Sequence, residues 1–503
     1  MVIASSLAMF PRPQLDPDSA TPLYKQLHSQ FRDWIDGGRL PHGERLPSTR
    51  ELAGLLGLNR TTVSACYSLL ESDGLIRGHV GRGSFVIGET KDQAKGLDWD
   101  VLLQDLERFP MGPTHMQAPA EGTISFATAR PREELFPLEE IRATCRETLM
   151  GPDAAGILQL GSPGGYPRLR DYLLAEARRD HIARSQDDLL ITSGCQQALD
   201  LVQRVLVRAG DAVVLEDPVY SGVKHLFARA GARLIGVPVG PQGIDLEHLE
   251  RVLLRERPRL IVVTPNFQNP TGATIPLAAR RSIIDMARES GAVVVENDIY
   301  GELRYQGEPA PSLKRLDEAG DVILLRSFSK ISFPGLRVGW ITAPRPMIAR
   351  LAEAKQLTDL HTDQLSQAFL LRFAESGRLA AHRARVLAAG AECLAAVLAA
   401  CEEFFPAGTR FTRPQGGMNL WVRLPEPLDA AELLPRAERE RVTYVPGKFF
   451  EVTHHEPGGL RLSFAGLTPE RIRAGVAILG EVFRSELERQ RALRRYEPAP
   501  AMV

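Results

Sequence analysis

At 503 residues the chain is too long for one hydrophobic core, so two or more domains are expected. Hydrophobic content of 44% and charged content of 24% are those of an ordinary soluble protein. A net charge of −1 excludes any global attraction to nucleic acid, so DNA binding would need a local surface. The five cysteines (Cys66, Cys145, Cys195, Cys393, Cys401) form no CxxC pair and no His/Cys metal spacing. That set argues against disulfides and a bound metal, and fits a reducing cytoplasm. Apolar runs such as 260–263 and 292–295 are too short to cross a bilayer and read as buried strands. Residues 1–10 lack the basic start of a secretory signal.

In chain order, residues 1–20 read as a loose lead-in and 21–88 as a small domain. Leu23, Leu27, Phe31 and Ile35 recur at helical spacing, and Gly37-Gly38 ends that helix. Ser48 and Glu51 make a capping box that opens a second helix through Leu56. Gly57 closes it, and Asn59 caps a third helix over 60–72. Residues 75–76 and 84–87 are short strands joined by a Gly81-Arg82-Gly83 turn. Three helices and a hairpin make an α+β winged helix-turn-helix. Residues 89–120 read as a linker with one helical stretch at 99–106.

From 121 to 490, buried strands at 189–192, 212–215, 233–237, 260–263, 292–296 and 322–325 alternate with helices. The pattern predicts an α/β domain with a large, mostly parallel sheet covered on both faces. Ala/Leu/Arg-rich helices follow Pro346. Strands at 418–422 and 460–464 then indicate a smaller α+β subdomain. Residues 491–503 form a tail, entered through a charged helix at 486–495.

The stretch from Ser327 to Trp340 carries the most chemistry. Lys330 ends an apolar run between hydroxyls, with Arg337 seven residues on. A lysine in a dry pocket can lose its proton and form a Schiff base. Ser327, Ser329 and the Arg337 fork supply what a phosphate needs. Together they point to pyridoxal 5′-phosphate (PLP) bonded to Lys330. The PLP pyridine nitrogen needs a carboxylate beside it to act as an electron sink, and Asp298 follows the 292–296 strand. Tyr300 and Asn269 can hydrogen-bond the phenolic oxygen. The turn Gly194-Cys195-Gln196 leads into a helix and offers backbone N–H groups to the phosphate. Tyr220 is placed to stack on the ring, although a core aromatic reads almost as well there. Arg461 is a charge in an apolar strand and needs a partner, either a ligand carboxylate or a buried acidic side chain.

This ordered set (NPTG at 269–272, the Asp-x-Tyr at 298–300, SFSK at 327–330, the Arg-x-Gly-Trp at 337–340) resembles the fold type I aminotransferases over roughly 121–485. The resemblance implies that Lys330 is the PLP lysine and Asp298 the nitrogen partner. It implies Asn269 and Tyr300 on the phenolic oxygen. The phosphate would lie on Gly194, Cys195, Gln196, Ser327, Ser329 and Arg337, and the α-carboxylate on Arg461. It also implies a homodimer. The small domain resembles the GntR winged helix through Leu23–Gln26, Gly43–Ala53 and Leu58–Val63. The fusion resembles the MocR/GabR regulators and covers nearly the whole chain. By that resemblance the helix opening at Asn59 enters the major groove of double-stranded DNA, with Arg60, Thr61 and Thr62 at its start. Arg45, Ser48 and Arg50 contact DNA from before it, and Gly81 and Arg82 from the wing. Residues 21–88 hold eight Lys/Arg against six Asp/Glu. So modest an excess makes affinity depend on paired half-sites. In the GABA-responsive branch an arginine follows the stacking aromatic. Here Ser221 and Gly222 follow Tyr220, so GABA is not carried over as the ligand.

The expectation is a cytoplasmic, PLP-dependent transcriptional regulator that senses PLP itself or a small amine or amino acid at Lys330. A working aminotransferase carrying a DNA-binding domain is the reading left open beside it.

Overall fold

The computed structural model describes residues 13–17, 19, 21–79, 83–87, 120 and 122–496. The chain divides into two compact units, 1–108 and 109–503, and the division falls inside the expected linker. The helical stretch at 99–106, the Gly81-Arg82 turn, most of the lead-in and residues 497–503 lie outside the described residues.

In the first unit, α1 (Leu23–Asp36) buries Leu27, Phe31 and Ile35, one every turn. A short strand, β1 (Arg45–Leu46), precedes α2 (Thr49–Leu56) and α3 (Arg60–Ser72). β2 (Ile76–His79) and β3 (Gly83–Val86) form the hairpin, and β1 pairs antiparallel with β3 to complete a three-stranded sheet. Two residues are too few to show a strand period, which is why β1 is not legible beforehand. Phe31, Val63, Cys66 and Leu70 are fully buried beneath these elements. Burial of each large apolar side chain contributes roughly 1.5–3 kcal/mol. The Tyr67 hydroxyl donates to the Pro47 carbonyl at 2.7 Å, tying α3 to the entry of α2.

The second unit begins with β4 (Ile124–Ser125). Its large sheet comprises β5 (Asp187–Thr192), β6 (Ala212–Asp217), β7 (Arg233–Gly240) and β8 (Gly243–Ile244). It continues with β9 (Leu260–Val263), β10 (Val293–Asn297), β11 (Val322–Ser327) and β12 (Gly339–Pro344). The spatial order is β5-β12-β11-β10-β9-β6-β7-β8. β9 is buried at every position, as a strand covered on both faces must be. Neighbours from β7 through β11 pair in parallel, whereas β12 is antiparallel to both β11 and β5. β5 therefore runs with the parallel set. The carboxyl ends of β5, β6, β9, β10 and β11 and the amino end of β12 all open on one edge. That edge is where an α/β sheet takes its ligand.

A smaller antiparallel sheet consists of β13 (Arg410–Phe411), β14 (Asn419–Arg423), β16 (Val445–Pro446) and β17 (Gly459–Ser463). β15 (Val442–Thr443) pairs in parallel with β4. The helix Arg378–Phe404 is, among the described residues, the one long and apolar enough to cross a membrane. Packing accounts for that composition. Its Cys393, Leu394 and Val397 share one core with Val476, Leu479 and Phe483 of the helix Pro469–Tyr496.

Candidate functional site

On the first unit, the described residues expected at DNA fall on β1 (Arg45), at the start of α2 (Ser48, Arg50) and at the start of α3 (Asn59 to Thr62). Arg45, Ser48, Arg50, Asn59, Arg60 and Thr61 are exposed and Thr62 is half-buried. The Asn59 side chain accepts from the Thr61 amide at 3.1 Å. Ser48 accepts from the Glu51 amide at 3.2 Å, and Glu51 accepts from the Ser48 amide at 2.8 Å. These caps hold the Glu51 carboxyl below its usual range. The Ser48 and Asn59 oxygens thus set the helix starts, while Arg50 and Arg60 make no ion pair among the described residues. Arg45 lies against Gly83, where an added Cβ would sit 3.1 Å from its Nε. Gly81 and Arg82 lie outside the described residues.

In the second unit a cavity of about 280 Å³ opens at the ligand edge of the large sheet. Lys330 follows β11 in a 3-10 turn, and its Nζ donates to the Ala129 carbonyl at 2.8 Å. Burial, and then the positive charges of Arg461 and Arg337, push its amine down to about 8. The free base is thereby accessible near neutral pH, as a Schiff-base lysine requires.

The end expected to hold the phosphate is built from both sides of the sheet edge. Because β12 is antiparallel, Arg337 at its amino end returns to the edge that Lys330 occupies. Arg337 donates to the Ser329 hydroxyl at 3.3 Å, and its other arm lies 3.4 Å from the Ser193 carbonyl. Opposite stands Gly194 (φ 84°, ψ 172°), which opens α4 (Cys195–Leu206). The backbone conformation demands glycine, and a Cβ there would meet Arg337 Nη2 at 2.5 Å and push the guanidinium aside. The first amides of α4 have no intrahelical acceptor and face an anion naturally. Cys195 and Gln196 line the cavity. Burial pushes the Cys195 thiol up to about 12, so it stays neutral beside a phosphate. Ser327 is placed otherwise than expected. Its hydroxyl donates to Ser329 Oγ at 2.9 Å and reaches the Val338 carbonyl at 3.0 Å, behind the wall. It positions Ser329 and does not itself line the cavity.

Asn269 links two other walls. Its Nδ2 lies 3.4 Å from the Tyr300 hydroxyl, and its Oδ1 accepts from Arg461 at 3.1 Å. Burial raises the Tyr300 hydroxyl to about 12. Tyr220 lines the cavity. Gly222 makes room for it, since a Cβ there would lie 2.5 Å from Tyr220 Cε1.

Arg461, in β17, is 5% exposed and also donates to the Ala127 carbonyl. Its guanidinium sits 5.0 Å from the Phe450 ring centre, and its Nε has no partner among the described residues. Burial lowers it to about 10. Among the described residues no carboxylate pairs with it, so the buried acidic side chain that the sequence left open as its partner is not found there.

Asp298 is the main departure. It is buried but does not line the cavity. Its Oδ1 accepts from Asn266 at 2.7 Å, and its Oδ2 accepts from Arg326 at 3.1 and 2.8 Å. The wall residue from β10 is Asn297, whose Oδ1 has no partner among the described residues. Successive strand residues face opposite ways, so a one-residue offset exchanges wall for interior. Sequence reasoning also missed Thr264, Phe450 and the segment 127–130, all on the wall. Residues 127–130 reach the site from over three hundred positions before Arg461, and two of them act through carbonyls that no residue type announces.

Cavity and donor set fit PLP: a base-poised buried lysine, a glycine-only cradle under an arginine fork, and a second arginine short of an acceptor. Residues 129–479 match the family Aminotransferase class I and II, and residues 23–86 match the bacterial regulatory proteins of the gntR family. Aromatic-amino-acid aminotransferase 1 of Thermococcus litoralis is 37% identical, covering 73% of this chain and 89% of its own. The Rhizobium meliloti protein named "Probable rhizopine catabolism regulatory protein MocR" is 29% identical over 93% of this chain and 95% of its own. The structure of LysN, an α-aminoadipate aminotransferase of Thermus thermophilus complexed with N-(5′-phosphopyridoxyl)-L-leucine, superposes with a TM-score of 0.71. It is 38% identical and covers 78% of this chain and all of that one. This chain is a member of the aminotransferase class I and II family, joined to a gntR-family winged helix in the manner of the MocR-type regulators.

Proposed function

We propose that the protein is a PLP-dependent, DNA-binding transcriptional regulator whose cavity receives a small amino compound, or PLP itself, as the signal. The observation that carries the chemical half is Lys330, a buried amine brought down to about 8 beside the Arg337 fork. Bound PLP supplies a carbonyl carbon that accepts amines reversibly. The chain's own groups do the rest. Lys330 offers its nitrogen and carries the proton when that nitrogen is released. Ser329, Arg337 and the first amides of α4 hold the phosphate, and Asn269 and Tyr300 fix the ring's phenolic edge. Arg461 selects ligands with a carboxylate, because only an anion completes its hydrogen bonds without loss.

The DNA-binding half rests on α3, whose exposed start suits phosphates and base edges in a major groove. Two copies on paired half-sites supply the affinity that one weakly basic unit lacks, and the protein acts in the cytoplasm, at the nucleoid. Signal binding changes DNA affinity by a coupling of about 1–3 kcal/mol.

Absorbance of the purified protein titrated with PLP tests the reading. Wild type gains a Schiff-base band and Lys330→Ala does not. Capture of PLP quickens as pH rises through about 8, because Lys330 loses its proton there. A protein that never takes up PLP overturns the proposal. A gel shift on DNA upstream of its own gene, with and without PLP and amino acids, tests the other half.

A further inference from the structure

We infer that Asn297 occupies the place from which a carboxylate would hold a proton on the ring nitrogen, and that this residue makes the site a receiver of amines instead of a transaminating centre. The inference rests on the PLP reading above and specifies what the site does with its ligand.

The cavity wall carries Lys330, Arg337, Arg461 and Arg130, and among the described residues it carries no Asp or Glu. The strand end that sequence spacing nominates for the ring nitrogen, the end of β10, shows the cavity an amide. The Asn297 amide oxygen is buried without a partner, as a group awaiting a ligand would be. The neighbouring carboxylate, Asp298, is spent elsewhere. Both of its oxygens are engaged, one by Asn266 and one by two nitrogens of Arg326. Recruiting it would strip Arg326 of its ion pair and turn the residue that follows β10 through to the other side. Either change is costly in a buried site.

An amide and a carboxylate differ in the property that matters. A carboxylate beside a pyridine nitrogen keeps it protonated, and the cationic ring then draws in the electron pair left when a proton leaves Cα of the bound amine. An amide can turn to present either its oxygen, which accepts from a protonated ring nitrogen, or its NH2, which donates to a neutral one, but it has no charge with which to hold a proton there. The surrounding cations oppose that proton further. Exchange of one amine for another needs no such sink. The incoming amine would bond through its nitrogen to the carbon that Lys330 holds and pass its protons to the departing Lys330 nitrogen, and no electron pair would enter the ring. Asn297 therefore permits exchange and slows the steps beyond it.

The test uses full-length protein loaded with PLP labelled with 15N in its ring. The wild-type 15N resonance should report a neutral pyridine nitrogen across neutral pH, with no variant needed. Asn297→Asp should move it to the protonated position. The same variant should speed single-turnover conversion of the bound cofactor to its amine form by roughly tenfold or more. Asp298→Asn should leave the resonance unchanged while lowering thermal stability. A protonated nitrogen in wild type overturns the inference and leaves the PLP reading standing. So does a wild-type signal that Asp298→Asn, and not Asn297→Asp, alters. If no labelled cofactor binds, both fall.

Discussion

The two candidate sites use arginine in opposite ways. Arg50 and Arg60 stand in water with no ion pair among the described residues, whereas Arg461 is 5% exposed and surrounded by ring and carbonyl. An exposed cation gives long-range attraction that salt screens, and each one alone is worth little. A desolvated cation interacts far more strongly with its ligand and tolerates few substitutes. The DNA face therefore works by summation and the cavity by individual residues. Substitutions should separate them sharply.

The largest effect is expected at Arg461. Arg461→Met should weaken binding of carboxylate-bearing amines by roughly 2–5 kcal/mol in a spectral titration, and leave simple amines almost untouched. Equal losses for both classes would mean that Arg461 shapes the cavity without choosing the ligand. Next is Gly194→Ala, which combines a contact of 2.5 Å to Arg337 with a backbone region closed to other residues. It should cost about 1–3 kcal/mol, seen as a lower Tm and weaker PLP uptake, with DNA binding by the first unit preserved. Arg60→Ala should reduce operator affinity and lower the salt slope by about one, with the PLP band unchanged. An unaltered slope would place α3 away from the phosphates. The smallest is Ser48→Ala. Loss of this cap should cost about 1 kcal/mol of stability in the first unit, measured by denaturant unfolding.

Much of this was legible because ordered motifs report which strand ends share an edge. Lys330, Asn269, Tyr300, Cys195, Gln196 and Arg337 come together because each lies at the end of the sheet strand its motif implies, and Tyr220 follows β6 in the same way. Arg461 was legible for another reason, since a cation inside an apolar strand must have a use. The choice between Asn297 and Asp298 was not legible. Both follow the same buried run, and only the register of β10 decides which meets the cavity. Ser327 was half legible. Its motif located it correctly, but its hydroxyl supports Ser329 from behind. The 127–130 wall was invisible because its contribution is made of backbone carbonyls.

The crowd of cations on the cavity wall has a consequence for the protein's lifetime. Lys330, Arg337, Arg461 and Arg130 repel one another when no anion stands between them, so the empty molecule is the less stable one. A ligand that brings a phosphate and a carboxylate relieves that repulsion. At a hundredfold excess over its Kd a ligand adds about 2.7 kcal/mol to stability. Differences of that size alter how much of a protein survives chaperones and proteases in a cell. The supply of cofactor would then set how many copies of the regulator persist, before any of them meets an operator.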